Sequence, residues 1–221
     1  GSFLFNPAVS ADVVATDNVR QLSTDRSSDI VVEVRPSLAI QSDWEVHGLE
    51  ASIDANSRLH RTFESDDATD WNALLRGRID ISRLTSIEAE ASYALAEDPR
   101  SEINVPDAAL TPAAVATQLL AARLNHRFNR LALQFELSRI GTEHSALDLA
   151  DGSIDLRSDE DTTVVGGRLR ASYEWIDGYE AFIEHARDRT IYAAASEADG
   201  IRRDGDGEVS RIGLKVTDLR R

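Results

Sequence analysis

The sequence contains no cysteine and no methionine, and it is poor in proline (5) and glycine (12) for a chain of 221 residues. The lack of cysteine excludes a disulfide scaffold and a zinc site built from thiolates. The low glycine and proline content argues against a disordered or low-complexity chain. No apolar run approaches the roughly 18 residues of a membrane-spanning helix. Because the chain starts at Gly1 and not at methionine, we expect a processed chain or a fragment.

An excess of positive charge is also absent, since 39 acidic residues outnumber 24 basic ones and the formal net charge is -15. A nucleic-acid partner is therefore not expected, because a basic face supplies most of the affinity for nucleic acid. A solvated acidic surface explains the net charge more simply. The length predicts one domain, residues 1–221.

Ten segments alternate apolar and polar residues with a period of two, which is typical of β-strands with one apolar face. They lie at residues 2–14, 30–41, 49–54, 73–81, 87–95, 120–128, 131–137, 168–175, 179–186 and 211–216. The stretch 113–122 also has the composition of a short helix. We interpret its second half as strand.

The clearest hairpin lies between Arg168 and Asp188. A three-residue loop, Ile176-Asp177-Gly178, places glycine at the left-handed position that such loops favour. This loop sets Trp175 opposite Tyr179, and it brings the apolar faces of both strands together. It also sets Tyr173 opposite Ala181 and Ala171 opposite Ile183.

Short turns alternate with long acidic connections along the chain. The short turns lie at 42–43, 82–84, 129–130 and 176–178, and the long connections at 16–28, 58–70, 98–112, 143–160 and 196–205. Pairing across the short turns keeps apolar residues opposite one another: Leu38 with His47, Val34 with Ala51, Ile79 with Ile87, Leu75 with Ala91, Phe128 with Leu131 and Leu124 with Phe135. This alternation is typical of an outer-membrane β-barrel with short periplasmic turns and long outer loops.

Aromatic residues concentrate at both ends of the predicted strands, as expected for rings at the two interfaces of a bilayer. Those near the short turns are Phe3, Phe5, Trp44, Phe128, Trp175, Tyr179 and Phe182. Those near the long loops are Phe63, Trp71, Tyr93 and Tyr192. A soluble barrel or sandwich with aromatic residues at the edge of its core is the alternative explanation.

The same registers place arginine opposite glutamate on the polar face, where cross-strand charge pairs stabilise a sheet modestly. The predicted pairs are Arg78 with Glu88, Arg76 with Glu90, Arg123 with Glu136, Arg170 with Glu184, and Arg35 with Glu50. Together with Arg127 and Arg168, these residues are our candidates for the lining of a pore. The simpler explanation is that they only neutralise one another in a lumen shielded from bulk water.

Signals for catalysis or metal binding are weak. The five histidines show no ligand spacing, and the chain has no G-x-S-x-G motif. The acidic stretches DGSID (151–155) and DGDGE (204–208) do not keep the twelve-residue pattern of a calcium loop. We therefore predict no catalytic residue, no metal site and no cofactor, and we do not expect an enzyme.

Several stretches resemble a known family in the right order along the chain: ATDNV (15–19), PSLAIQSDW (36–44), ISRLTSIEAEASYALAEDPRS (81–101), LNHRFNRLAL (124–133) and SYEWIDGYEAFIEHARD (172–188). The chain resembles the putative beta-barrel porin 2 family of Gram-negative outer membranes. The resemblance implies a porin-like barrel in contact with outer-membrane lipid that passes or exports a polar solute. It also implies a link to surface-polysaccharide export. No catalytic residue and no oligomeric state follow from it.

The chain departs from this family by ending at Leu219-Arg220-Arg221, where family members continue through further hairpins. Either ten strands complete the barrel or the chain is truncated, and we favour truncation. Two rival functions remain open at this point. One is a soluble β-barrel or sandwich that binds a ligand, and the other is an outer-membrane β-barrel hydrolase with His60 and His144 at its outer rim.

Overall fold

The computed structural model describes residues 1–19, 26–98, 113–196 and 198–217. These residues form twelve β-strands and one short 3₁₀ helix, Glu64–Asp66. The strands are β1 Ser2–Thr16, β2 Asp29–Asp43, β3 Gly48–His60, β4 Ala68–Ser82, β5 Thr85–Asp98, β6 Ala113–Phe128, β7 Leu131–His144, β8 Leu147–Asp148, β9 Ile154–Asp155, β10 Thr162–Ile176, β11 Tyr179–Tyr192 and β12 Gly205–Val216.

Ten long strands form one antiparallel sheet in the order β1-β2-β3-β4-β5-β6-β7-β10-β11-β12. The short strands β8 and β9 pair with each other in the connection between β7 and β10. In the part of the chain that the structure describes, β1 and β12 are edge strands and the sheet is open. The predicted all-β antiparallel up-and-down fold of about ten strands is confirmed.

The long strands contain between 12 and 16 residues. Strands of soluble sheets usually have about five or six residues, whereas a tilted strand needs about 9–11 to cross a bilayer. Every long strand is therefore long enough to span a membrane. No helix within the described residues is long and apolar enough to do so.

The two faces of the sheet have opposite chemistry. The apolar face, which carries Leu75, Leu120 and Leu169, is largely exposed: these three side chains are 49%, 54% and 55% accessible. The polar face carries the arginines and glutamates, and its Glu136 side chain is only 19% exposed. A soluble sandwich buries its apolar face, so this arrangement argues against the soluble alternative.

Three of the four predicted hairpin registers agree with the structure over most of their length. Leu75 lies opposite Ala91, Leu124 opposite Phe135, and Ala171 opposite Ile183. Gly178 has the predicted left-handed conformation, with φ of 83°. The prediction that Trp175 faces Tyr179 is wrong, because a bulge between Glu174 and Ile176 places Ile176 opposite Tyr179.

The predicted register of the β2–β3 hairpin is wrong. Strand β2 continues through Asp43 and β3 begins only at Gly48, so the turn comprises residues 44–47 and not 42–43. Leu38 therefore pairs with Ile53 and not with His47, and Val34 pairs with Ser57 and not with Ala51. The apolar alternation survives this shift because the displacement is an even number of residues.

The strands extend beyond the alternating segments in several places. The whole of residues 113–122 belongs to β6, so the short-helix alternative is wrong. Arg58 and Asp70, predicted in a connection, lie in β3 and β4, and most of the DGDGE stretch lies in β12. These strands are longer than predicted because backbone hydrogen bonds to the neighbouring strands continue beyond the residues that alternate between apolar and polar. Most of the predicted connection 98–112 lies outside the described residues.

Aromatic side chains contact one another at both ends of the sheet. Near the short turns, the Phe3 and Trp44 rings are 5.4 Å apart. Near the long loops, Trp71 and Tyr93 stack at 4.7 Å. Phe182, predicted among the interfacial aromatic residues near the short turns, instead lies on the polar face, where the Arg170 guanidinium is 3.8 Å from its ring centroid.

Candidate functional site

A groove of about 680 Å³ lies on the polar face where β3, β4, β5, β6 and β7 run side by side. The strands present polar side chains to it because period-two geometry sends the intervening apolar residues to the opposite face. Its charged lining consists of Glu50, Arg76, Arg78, Glu88, Glu90, Arg123 and Glu136. All seven of these residues belong to the predicted set.

The β4–β5 hairpin supplies the first ion pairs of the groove. Arg76 lies opposite Glu90 as predicted, and its Nε donates to Glu90 Oε2 at 2.9 Å. Arg76 Nη1 is also 4.0 Å from Glu50 Oε2. Arg78 lies opposite Glu88 as predicted, but its ion pair is with Asp80 on its own strand, at 2.8 Å.

Glu136 forms the centre of the polar face. Its Oε2 accepts hydrogen bonds from Arg123 Nε at 2.7 Å and from Arg168 Nη2 at 2.8 Å. Arg123 Nη1 also donates to Glu88 Oε2, at 3.2 Å. Arg123 thus bridges two carboxylates, and Glu136 bridges two guanidinium groups.

Glu184 forms a second centre, on β11, and its side chain is 5% exposed. Arg211 Nη1 donates to its Oε1 at 2.7 Å. Arg170 Nη1 and Arg168 Nη1 lie 3.6 Å and 3.9 Å from its Oε2. The predicted pairing of Arg170 with Glu184 is confirmed in register.

These contacts connect into one row, which we call the charge belt. Each charged group in it contacts the next, from β5 to β12, so that negative and positive groups alternate across six strands. Its members are Glu88, Arg123, Glu136, Arg168, Glu184 and Arg211. Charges in a partly shielded site need such partners, because an unpaired charge there carries a desolvation penalty.

The prediction that Arg35 pairs with Glu50 is wrong. In the correct register Glu50 lies opposite Gln41, whereas Arg35 lies opposite Ser10 of β1. Arg35 instead forms ion pairs with Asp12 and Glu33. Arg127, at the short-turn end, contacts Glu174 at 3.5 Å.

Sequence reasoning missed two groups of charged residues. Arg211 was not among the candidates, although the alternation of Ile212 and Leu214 in β12 places it on the polar face. Arg58 of β3 contacts both Asp70 of β4 and Glu97 of β5, each at 3.1 Å. Only the extension of β3 and β4 beyond the alternating segments reveals this cluster.

Two carboxylates outside the long strands have lowered pKa values. The backbone N–H of Tyr192 donates to Asp204 Oδ1 at 2.8 Å, and this bond, with Arg202 beside it, lowers the pKa of Asp204. Hydrogen bonds from the side chain and backbone of Ser153 lower the pKa of Asp151. Both residues stabilise local turns in the long connections.

The two histidines named for the hydrolase alternative each lie beside carboxylates at the long-loop end of the sheet. His60 is 3.4 Å from Asp67, and His144 is 3.1 Å from Asp161 and 3.7 Å from Glu160. Across the described ranges no three His, Asp or Glu side chains are grouped in a way that would hold a metal ion.

Comparisons with known proteins agree with this architecture. A family model described as "Putative beta-barrel porin 2" matches residues 1–220. No curated protein matches the chain. Among solved structures, the chain is similar to one named "Copper transporter OprC", with a TM-score of 0.53 and 11% sequence identity.

That alignment covers 96% of this chain and 39% of the transporter, so the chain spans about two fifths of the transporter's length. At this identity the likeness shows the fold alone. The family match covers almost the whole chain and therefore shows the family as well as the fold. The chain belongs to the Putative beta-barrel porin 2 family, and it is a porin-like β-barrel protein of the cell outer membrane.

Proposed function

We propose that this protein forms a water-filled passage for polar solutes across the outer membrane, and that the polar face is the wall of this passage. In this proposal residues 1–221 act as one barrel domain without catalytic activity. The observation that carries the proposal is the charge belt, in which arginine and glutamate alternate across six strands of one face. The opposite face offers exposed leucine, isoleucine and valine to lipid.

The proposed wall consists of the residues predicted from the sequence together with Arg211. The predicted members are Arg35, Glu50, Arg76, Arg78, Glu88, Glu90, Arg123, Arg127, Glu136, Arg168, Arg170 and Glu184. Because the charges of both signs are interspersed, such a wall would discriminate only weakly between small cations and anions. Charged and neutral polar solutes would both pass.

The surface-polysaccharide link rests on the family resemblance. An aromatic track would favour a polysaccharide, since sugar rings bind to aromatic faces. Among the described residues, Phe182 lies on the polar face with its ring covered by Arg170, and Trp44 lines the groove, so the aromatic residues form no continuous track. The polar face therefore supports polar solutes in general more strongly than it supports a polysaccharide.

Conductance and reversal potential in a planar bilayer test the proposal. The wild-type protein should conduct with weak ion selectivity. The double variant Arg123→Gln, Arg168→Gln removes the arginine that contacts Glu88 and both arginines that contact Glu136. The wall then carries more negative charge, so the reversal potential should shift in the direction of greater cation selectivity.

Arg203→Gln is the matched control, because it removes an arginine from a connection outside the belt, where Arg203 contacts Asp199 at 2.8 Å. It should leave the selectivity near the wild-type value. A folded protein that does not conduct, or an equal shift in both variants, would contradict a passage lined by the polar face.

A further inference from the structure

Three arginines project from the apolar face in the half of the sheet near the long loops. They are Arg139 on β7 and Arg187 and Arg189 on β11. Registers place them on the same face as Leu137, Leu169 and Ile183, since side chains two positions apart share a face. An arginine that faces lipid is costly at the centre of a bilayer and favourable near phosphate groups. Their depth in the membrane therefore decides what they can bind.

The position of these arginines along their strands places them near the upper boundary of the apolar band. Arg139 lies eight positions beyond Leu131, and Arg187 lies eight positions beyond Tyr179, counted from the short-turn end. Eight residues of a strand tilted by about 40° rise by roughly 21 Å, and the apolar band of an outer-membrane barrel is about 25 Å tall. The guanidinium groups thus reach the level of the lipid headgroups.

The arginines border one shallow strip of the surface. Strand β10 lies between β7 and β11, and there it presents only Val165, opposite both Arg139 and Arg189, and Gly167, opposite Arg187. Two strand spacings separate the backbones of β7 and β11 by roughly 9.6 Å. A single phosphate above Gly167 and Val165 could therefore contact arginines from both sides.

Arg139 has no compensating charge nearby. Its Nη1 and Nη2 atoms lie 3.7 Å and 3.8 Å from the position that a Cβ on Gly141 would occupy, so the side chain extends along its strand towards the long loops. Over the ranges that the structure describes, Arg139 makes no hydrogen bond or ion pair. On the same face, Glu143 lies four positions beyond Arg139 on β7. The other acidic groups lie on β12, where Asp206 is 3.8 Å from Arg187 and Glu208 is 3.9 Å from His185.

An apolar groove of about 610 Å³ ends at Arg139. It runs across the apolar face from β3 to β10, and small residues at its floor, Ala89 and Ala122, leave room between larger neighbours. Its apolar walls are formed by Leu75, Leu120, Leu137 and Val165. The lining of this groove is mostly apolar, so it suits a hydrocarbon chain.

We propose that this surface binds an anionic, phosphate-bearing lipid of the outer membrane. Its phosphate lies between Arg139 and the pair Arg187 and Arg189, and one acyl chain lies in the groove beside Leu120 and Leu137. Guanidinium groups bind phosphate through paired hydrogen bonds, which makes arginine suited to this role. The inference depends on the location in the outer membrane and not on conductance.

Native mass spectrometry of lipid retained by the detergent-purified protein tests the proposal. The protein is incubated with phosphatidylcholine alone or with phosphatidylcholine mixed with lipid A, which is anionic because no choline group neutralises its phosphates. The wild type should retain lipid A over phosphatidylcholine. In the double variant Arg139→Gln, Arg187→Gln that preference should fall by about tenfold or more, because each basic residue near a headgroup contributes noticeably to anionic lipid binding.

Two further variants separate the contributions of charge and groove. Ala122→Phe fills the groove without altering charge and should also weaken lipid A retention. Arg203→Gln removes one arginine elsewhere and should retain the wild-type preference. Heat-modifiable migration on a gel shows that each variant is folded.

Three results would overturn the proposal. The first is an unchanged lipid A preference in the folded double variant, and the second is an equal loss in Arg203→Gln. The third is complete displacement of lipid A by inorganic phosphate alone, because the surface would then bind a free anion and the groove would have no role. A protein that binds lipid A but does not conduct would leave this inference intact and contradict only the proposed passage.

Discussion

The two faces of the sheet tolerate charge for different reasons. On the polar face, carboxylates lie between guanidinium groups at 2.7 to 3.9 Å, as around Glu184. On the apolar face, long stretches such as Leu131 to Leu137 carry no outward charge, and arginines appear only beyond them. The comparison shows that charges on the polar face are paired with one another, and that charges on the apolar face are restricted to one end of the strands.

The largest expected effect comes from placing a charge on the apolar face and comparing it with the same charge on the polar face. Leu137→Arg introduces a charge into the apolar face near the middle of its strand, and it should reduce the free energy of unfolding in vesicles by roughly 2–4 kcal/mol. Ser138→Arg, one residue along, faces Ala121 and Gly166 on the polar face and should cost less than about 1 kcal/mol. Urea titration of the protein folded into lipid vesicles measures both. Equal losses would show that the two faces do not differ in their surroundings.

Removing a shared carboxylate should have the next largest effect. Glu184→Gln leaves Arg168, Arg170 and Arg211 without their common partner and should cost about 2 kcal/mol. Asp12→Asn is the control at the sheet edge, where the Asp12 side chain is 56% exposed, and it should cost less than about 0.5 kcal/mol. The same vesicle titration compares them. If Asp12→Asn lowered the free energy of unfolding more than Glu184→Gln, the shared Glu184 carboxylate would not be the more stabilising of the two.

A smaller effect is expected when charge is kept and geometry is changed. Arg123 bridges Glu88 and Glu136, and a lysine cannot reproduce its planar pair of donors. Arg123→Lys should therefore cost about 1 kcal/mol, whereas Arg203→Lys at the exposed pair with Asp199 should cost close to nothing. If unfolding shows no difference between them, charge alone and not bridging stabilises the belt.

The smallest effect concerns pH and the long loops. The hydrogen bond from the Tyr192 N–H lowers the pKa of Asp204, so the folded state favours the carboxylate. This contribution is complete above the ordinary aspartate pKa of about 3.9 and is lost as pH falls through the lower folded value. The protection factor of the Tyr192 amide, which is its exchange rate relative to that of an unstructured amide at the same pH, should fall over that acidic range. In Asp204→Asn the protection factor should lose this pH dependence, and a dependence that persists would assign it to another group.

The sequence predicts the hairpins whose turns carry an unambiguous signal. The Asn129-Arg130 turn lies where predicted, and Asn129 adopts the left-handed conformation, with φ of 51°. The β2–β3 turn contains no glycine between Asp43 and His47, so no turn-forming residue indicates that the turn lies at 44–47. An even shift of register also leaves the alternation intact, and hydrophobic patterning therefore could not detect the error.

Contacts between consecutive hairpins were harder to predict than contacts within them. The pairing of Arg123 with Glu136 follows from a two-residue turn. The contacts of Glu88 with Arg123 and of Glu136 with Arg168 lie across connections of more than ten residues, whose length fixes no register. Sequence reasoning therefore found individual charge pairs, and the structure was needed to join them into a row.

That row has a consequence for how the protein assembles. If the β10–β11 hairpin docks onto β7 a single residue out of place, Arg168 and Glu184 turn from the polar face to the apolar face, away from Glu136. A single-residue misalignment therefore carries the cost of moving charge to the apolar face, so the row of ion pairs favours the native alignment of the strands.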